Sequence, residues 1–89
     1  MDKNRKLTFI DQAWNEYVYW QSEDKRTLKR INNLIKSIKR DGYNEGIGEP
    51  ELLKYEDNST WSRRIDKYNR LVYLVTDSHI SIIQCKGHY

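Results

Sequence analysis

Hydrophobic positions along the chain follow two different repeats, and the change between them divides the sequence. Lys6 to Ile10 (KLTFI) is short, apolar and β-branched enough to predict a first strand. Asp11 then offers an N-cap, and Ala13, Trp14, Tyr17, Val18 and Gln21 follow at helical spacing, which predicts a short helix packed through its aromatic side. Ser22, Glu23 and Asp24 interrupt it with a capping hydroxyl and with acids suited to the positive end of a new helix dipole. In the second helix Leu28, Ile31, Leu34, Ile35 and Ile38 form one continuous stripe, which Asp41 and Gly42 end.

Between Gly42 and Pro50 lie three of the four glycines and the only proline, so this stretch is a connection. Its sequence, GYNEGIGEP, is no phosphate loop, because it lacks the Lys-Ser/Thr ending and follows no strong strand. Beyond it the period falls to two. Glu51 to Tyr55, Trp61 to Ile65, Arg70 to Thr76 and Ile80 to Lys86 read as strands, with turns near Asp57 and Asn58, Lys67 and Tyr68, and Asp77 and Ser78. Strands in close succession with short turns make an antiparallel meander, and helices on one face of it make an α+β fold. The whole chain, 1 to 89, is expected to be a single domain, with residues 1 to 5 loose.

Alternation also sorts the strand residues by face, provided each hairpin is in plain register. Arg64 then lies opposite Arg70, Arg70 opposite Lys86, and Lys54 opposite Ser62. The even-numbered Lys54, Ser62, Arg64, Arg70, Lys86 and His88 share a face that is cationic at one end and apolar at the other, through Val72, Leu74, Ile80 and Ile82. The odd-numbered set, including Leu53, Tyr55, Trp61, Ile65, Leu71, Tyr73, Val75, Ile83 and Cys85, is far more apolar and belongs under the helices. Arg63 is the exception that this rule leaves unexplained. Glu51 has the other parity, but at a strand entrance after Pro50 it can lean over the cationic end.

The composition narrows the partners. Eighty-nine residues with 37% hydrophobic positions support one thin core, in which three Trp and seven Tyr must supply much of the buried area. The net charge of +3 is modest, so clustering of the cations matters more than their sum. One cysteine, Cys85, allows no internal disulfide and points to a reducing compartment; with no long apolar run, a cytoplasmic protein with no membrane contact is expected. The outer side of the second helix carries Lys25, Arg26, Lys29, Arg30, Lys36, Lys39 and Arg40, which by itself describes a solvated lysine-rich face.

Cations, a carboxylate and a histidine on one face of a sheet are the ingredients of RNA phosphodiester cleavage. A base takes the 2′-hydroxyl proton, cations hold the charge on phosphorus, and an acid protonates the departing 5′-oxygen. Histidine is the one side chain whose unperturbed pKa, about 6.5, lies near neutrality, which makes His88 the natural proton donor here. His79, in a turn, reads as structural. His79, His88 and Cys85 have no recognisable metal-ligand spacing, no serine or cysteine triad is supported, and no cofactor is implied.

The chain also resembles a known family, the YoeB (Txe) toxins of the RelE superfamily. The likeness runs from Leu7 to Tyr89, through YWQSEDKRTLKRINNLIK, PELLK, WSRRI, NRLVY and the terminal HY, in order and with family-like spacing. The resemblance implies a ribosome-dependent endoribonuclease of a type II toxin–antitoxin module, with a microbial-ribonuclease-like fold. It implies Glu51 as general base, Arg70 as the group stabilising charge on phosphorus and His88 as general acid, with Lys54, Arg64 and Tyr89 lining the site. It further implies ribosomal RNA contacts for Lys25, Lys29, Lys36 and Lys39, a YefM/Axe-like acidic antitoxin as partner, and operator DNA bound only through that antitoxin. Two departures from the family pattern stand out: PELLK in place of PEPLK, and Gly87 where a bulkier residue is usual before HY. The competing expectation is an RNA- or protein-binding module without catalysis.

Overall fold

The computed structural model describes residues 4–53 and 59–88. Its elements are β1 (Lys6–Phe9), α1 (Asp11–Glu23), α2 (Lys25–Asp41), β2 (Glu51–Leu52), β3 (Thr60–Arg64), β4 (Arg70–Val75) and β5 (His79–Gln84). The strands form one sheet in the order β1-β5-β4-β3-β2, covered on one face by both helices. The expected antiparallel meander is present from β2 to β5, and β1 joins it as a parallel edge beside β5. That parallel edge follows from the chain path, because the helices carry the backbone to the far edge at β2 and the meander walks back to β1. Arg5, expected to be loose, is fastened: its Nε donates to the Thr76 carbonyl at 2.7 Å, and its own carbonyl accepts from Lys39 Nζ at 3.1 Å. Among the described residues no helix is long and apolar enough to cross a membrane.

The helix ends differ from expectation by a residue or two. Ile10 occupies the cap position of α1 without a side-chain bond, while Asp11 sits in the first turn, where its charge suits the positive end of the dipole. The helix runs on through Ser22 and Glu23, and Asp24 alone joins it to α2. The Asp24 N–H closes α1 on the Trp20 carbonyl at 3.1 Å, while its carboxylate accepts from the Arg26 and Thr27 amides at 3.0 and 3.3 Å and from Thr27 Oγ1 at 3.0 Å. The Thr27 hydroxyl first, then the amides, hold this carboxyl below its ordinary range.

Ile31, Leu34 and Ile38 of α2 meet Leu71, Tyr73, Ile80, Ile82 and Cys85 of the sheet as a fully buried core. Burial of each such side chain contributes roughly 1.5–3 kcal/mol. The buried side of α1 is Ala13 and Trp20 with Tyr17 half-buried; Trp14 and Val18, expected on that side, are 50% and 44% exposed. The rotation has a polar cause. Trp20 Nε1 donates to the Cys85 carbonyl at 2.9 Å and Glu16 Oε1 accepts from the Cys85 amide at 2.8 Å, so α1 must turn residues 16 and 20 toward β5. Trp14 instead stacks on Tyr17, with ring centroids 5.9 Å apart, and meets Phe9 edge-on.

Two registers depart from plain parity. Gln84 pairs with Val72 as expected, but Ile82 pairs with Tyr73, so Ile83 is an extra residue in β5. Beyond this bulge the faces swap. Ile80 and Ile82, expected on the open face, are fully buried under the helices, while Ile83, expected there, is only half-buried. Lys86 likewise leaves the cationic face, its Nζ lying 5.0 Å from the centre of the Tyr19 ring on α1. At the other edge Glu51 pairs with Ser62 and Leu52 with Trp61, so the expected pairing of Lys54 with Ser62 is replaced. Lys54 and Tyr55 themselves lie outside the described residues.

Arg63 is no intruder in the core but its polar anchor. It is fully buried and donates from Nε to Tyr73 Oη at 2.9 Å, from Nη1 to Ser37 Oγ and the Ile47 carbonyl at 3.1 and 3.0 Å, and from Nη2 to the Gly42 and Glu45 carbonyls at 2.9 and 2.6 Å. One guanidinium thereby ties the glycine-rich connection to β3, β4 and the end of α2. Gly46 makes the approach possible, since a Cβ there would stand 2.1 Å from Ser37 Oγ and 3.0 Å from Arg63 Nη1.

Replacing Arg63 by Met should orphan several acceptors at once and lower the unfolding free energy by at least about 3 kcal/mol. Arg63→Lys should fare little better, since an ammonium cannot reproduce the planar fork; urea unfolding midpoints check both, and a wild-type midpoint for Arg63→Lys would refute the anchor. Burial, then Glu16, pushes the Cys85 thiol up to about 12. Iodoacetamide at neutral pH should therefore label Cys85 only after unfolding, and rapid labelling of the native protein would contradict its burial.

Candidate active site

The second register correction builds the site. With Glu51 opposite Ser62, and Ser62 two residues before Arg64, the carboxylate of β2 stands on the same face as the arginines instead of leaning across from the other. Arg64 and Arg70 are direct cross-strand partners, as expected. Glu49, Pro50, Glu51, Ser62, Arg64 and Arg70 together line a pocket of about 380 Å³ on the face away from the helices.

Two guanidinium groups opposite one another repel, and each has neighbours that compensate. Arg64 Nε lies 3.4 Å from Glu49 Oε2, in a pair open to solvent and therefore weak. Arg70 Nη1 donates to the Asp66 and Asn69 carbonyls at 2.8 and 3.1 Å, which fixes the direction of its planar head. Glu49 was not singled out from the sequence, although its place just before Pro50 mirrors that of Glu51 just after. Its φ of 55° is the one positive value among described residues other than glycine, a conformation costing on the order of 1–2 kcal/mol. Backbone strain of this kind gathers at functional sites.

The β3–β4 turn is organised by Asp66. Its Oδ1 accepts from the Tyr68 and Asn69 amides at 2.8 and 2.7 Å, and Asn69 Nδ2 donates to its Oδ2 at 3.0 Å. Partial burial would raise this carboxyl, but the Asn69 and Tyr68 hydrogen bonds and the charge of Arg70 outweigh it and hold the group below its ordinary range.

His88 is exposed and is not among the residues lining the pocket. It lies beside it: the Arg70 amide donates to the Gly87 carbonyl at 3.0 Å, and the imidazole meets Tyr68 of the turn edge-on at 4.5 Å between ring centres. Glu51, Arg64 and Arg70 are thus brought together, with His88 on the adjoining segment. Lys54 and Tyr89 lie outside the described residues. Lys25, Lys29 and Lys36 are exposed on α2, on the helix-covered side of the sheet, whereas the pocket opens on the other face. Lys39 is half-buried against the Arg5 carbonyl, and Arg30, read from the sequence as part of the same outer face, instead donates to the Arg64 and Ile65 carbonyls at 2.9 and 3.3 Å.

A pocket lined by two guanidiniums and carboxylates suits a charged, polar ligand better than an apolar one. Comparison with known proteins gives it a context. Residues 9–89 match the pattern of the YoeB-like toxin of bacterial type II toxin-antitoxin system. Toxin YoeB of Escherichia coli K12 is 48% identical over 84 residues, covering 94% of this chain and 99% of that protein. The YoeB dimer structure from Staphylococcus aureus superposes with a TM-score of 0.88 at 50% identity, covering 97% of this chain and 99% of that one. A YoeB–YefM complex from the same organism gives 0.85 at 49% identity, covering 96% and 98%. A shared fold, near-complete coverage in both directions and close sequence identity agree, and the chain belongs to the YoeB-like toxin family of bacterial type II toxin–antitoxin systems.

Proposed function

We propose that this toxin is a ribosome-dependent endoribonuclease that inhibits translation by cleaving messenger RNA, without a metal, through attack of a 2′-hydroxyl on the adjacent phosphorus. The observation that carries the reading is the shared face of Glu51, Arg64 and Arg70, with the His88 segment hydrogen-bonded to the Arg70 backbone. Glu51 takes the 2′-hydroxyl proton as that oxygen bonds to phosphorus. Arg70, aided by Arg64, holds the extra negative charge of the phosphorane, and preorganised guanidiniums do this with little rearrangement. The bond from phosphorus to the 5′-oxygen then breaks, and His88 gives that oxygen a proton. The products are a 2′,3′-cyclic phosphate and a 5′-hydroxyl.

Lys54 and Tyr89 complete the substrate site, Tyr89 by stacking on or orienting a base. Lys25, Lys29, Lys36 and Lys39, which fall within about 80° of arc at 100° per residue on α2, contact ribosomal RNA phosphates. Lys39 can do so only by exchanging its bond to the Arg5 carbonyl. The partner is a YefM/Axe-like antitoxin, a reading supported by the YoeB–YefM complex of the S. aureus relative, and operator DNA is reached only through it. The place of action is the cytoplasm. A binding module without catalysis remains the rival reading, and the position of His88 outside the pocket lining favours it.

His88→Gln should leave the protein folded and ribosome-bound while slowing cleavage by roughly 10² to 10⁴-fold, the usual contribution of a single acid or base. Mapping 5′ ends of cellular transcripts after induction reads this directly, and undiminished cutting by the variant would remove His88 from the mechanism. Glu51→Gln separates the two readings. The enzyme predicts a comparable loss of cleavage, whereas the binding module predicts tighter RNA binding with no chemistry lost.

A further inference from the structure

The segment that carries His88 has little side-chain packing to hold it. Gly87 has no side chain, its φ is +86°, and an added Cβ would meet nothing within 4 Å. Backbone entropy ought to leave such a tail free to swing. Instead, the polar groups of Gly87 and the carbonyl of His88 are held from the β3–β4 turn, the start of β4 and the end of β5. Asn69 Oδ1 accepts from the Gly87 amide at 2.7 Å; the Gly87 carbonyl accepts from the Arg70 amide at 3.0 Å and from Gln84 Nε2 at 3.1 Å; and the His88 carbonyl accepts from the same Nε2 at 2.8 Å.

We propose that Asn69 and Gln84 are positioning residues, whose carboxamides clamp the Gly87–His88 backbone and set the imidazole beside Arg70 for proton transfer. The proposal rests on the catalytic reading of His88. Each amide is oriented by what surrounds it. Asn69 Nδ2 faces the Asp66 carboxylate, which can only accept, so Asn69 Oδ1 is left to receive the Gly87 N–H. Gln84 faces two carbonyls, so its Nε2 must point at them. The Asn69 carbonyl also accepts from Arg70 Nη1, so one turn residue holds the guanidinium through its backbone and the tail through its side chain. Gln84 stands opposite Val72, before the Ile83 bulge shifts the register, where plain alternation places it.

The test uses the intact toxin with ribosome-bound message as substrate. Asn69→Ala removes the acceptor of the Gly87 amide together with the Nδ2 donations to Asp66, and Gln84→Met removes two donations while keeping the volume; Gln84 lies outside the Asp66 turn, so this variant serves if Asn69→Ala disturbs folding. Each should lower kcat on the order of 10 to 100-fold, the scale of an ångström's misplacement. KM and ribosome binding should not change, and the ¹⁵N heteronuclear NOE of the Gly87 and His88 amides should fall. Neither change should slow a His88→Gln background further, because groups acting as a unit are non-additive. Wild-type kcat in both variants overturns the proposal, as does a loss of the same factor on the His88→Gln background. Should His88→Gln itself cleave normally, the catalytic reading fails and the positioning role with it, while a drop in the NOE would still report the clamp as a tether.

Discussion

The buried guanidinium of Arg63 is the constraint on which the rest of the molecule depends. Side chains alternate along β3, so a strand that sends Arg63 down among Tyr73, Ser37 and the loop carbonyls must send Ser62 and Arg64 up to the opposite face. The same five bonds fix where the glycine-rich connection ends. Gly48 is then held by its carbonyl to the Arg64 amide at 2.7 Å, and Glu49, Pro50 and Glu51 follow directly into the pocket. A charge that would be costly to bury alone is satisfied by groups that themselves need donors, since an irregular loop against a core has no ladder to use.

Above that anchor the sheet is organised by small offsets. The bulge at Ile83 turns Ile80 and Ile82 inward, which completes the core over β1 and β5, and leaves Gln84 facing the end of the sheet where the tail returns. The β2 pairing does the same at the other edge, carrying Glu51 onto the arginine face. Each is a displacement of one to three residues, yet each decides which side of the sheet a functional group occupies. The cationic site is therefore a consequence of register as much as of composition.

Electrostatically the pocket is poised for an anion. Arg64 and Arg70 face each other across a strand pair, and among the groups that offset their repulsion are a solvent-exposed carboxylate at Glu49 and backbone carbonyls at Asp66 and Asn69. Neither compensates as fully as a phosphate accepting from both would. Glu49 combines a left-handed backbone position with its exposed contact to Arg64. Basic residues elsewhere are divided between work inside the fold and exposure: Arg30 and Lys39 brace the ends of β3 and β1, whereas Lys25, Lys29 and Lys36 remain at the surface.

By itself the sequence determined the order and kind of the elements, because helix stripes, strand alternation and a glycine-rich break are local properties of the chain. It determined the Arg64–Arg70 pairing as well, since a short turn fixes the register beside it. Only the tertiary structure decided which face Ile80, Ile82, Lys86 and Glu51 occupy, because a bulge or an offset after a longer connection leaves no mark in a period-two pattern. Only packing decided that Arg63 belongs inside, that α1 turns Trp20 to the core in place of Trp14, and that Asn69 and Gln84 meet the tail. Those outcomes depend on hydrogen-bond partners up to 69 residues away, and no local pattern encodes the demand that every buried donor and acceptor be paired.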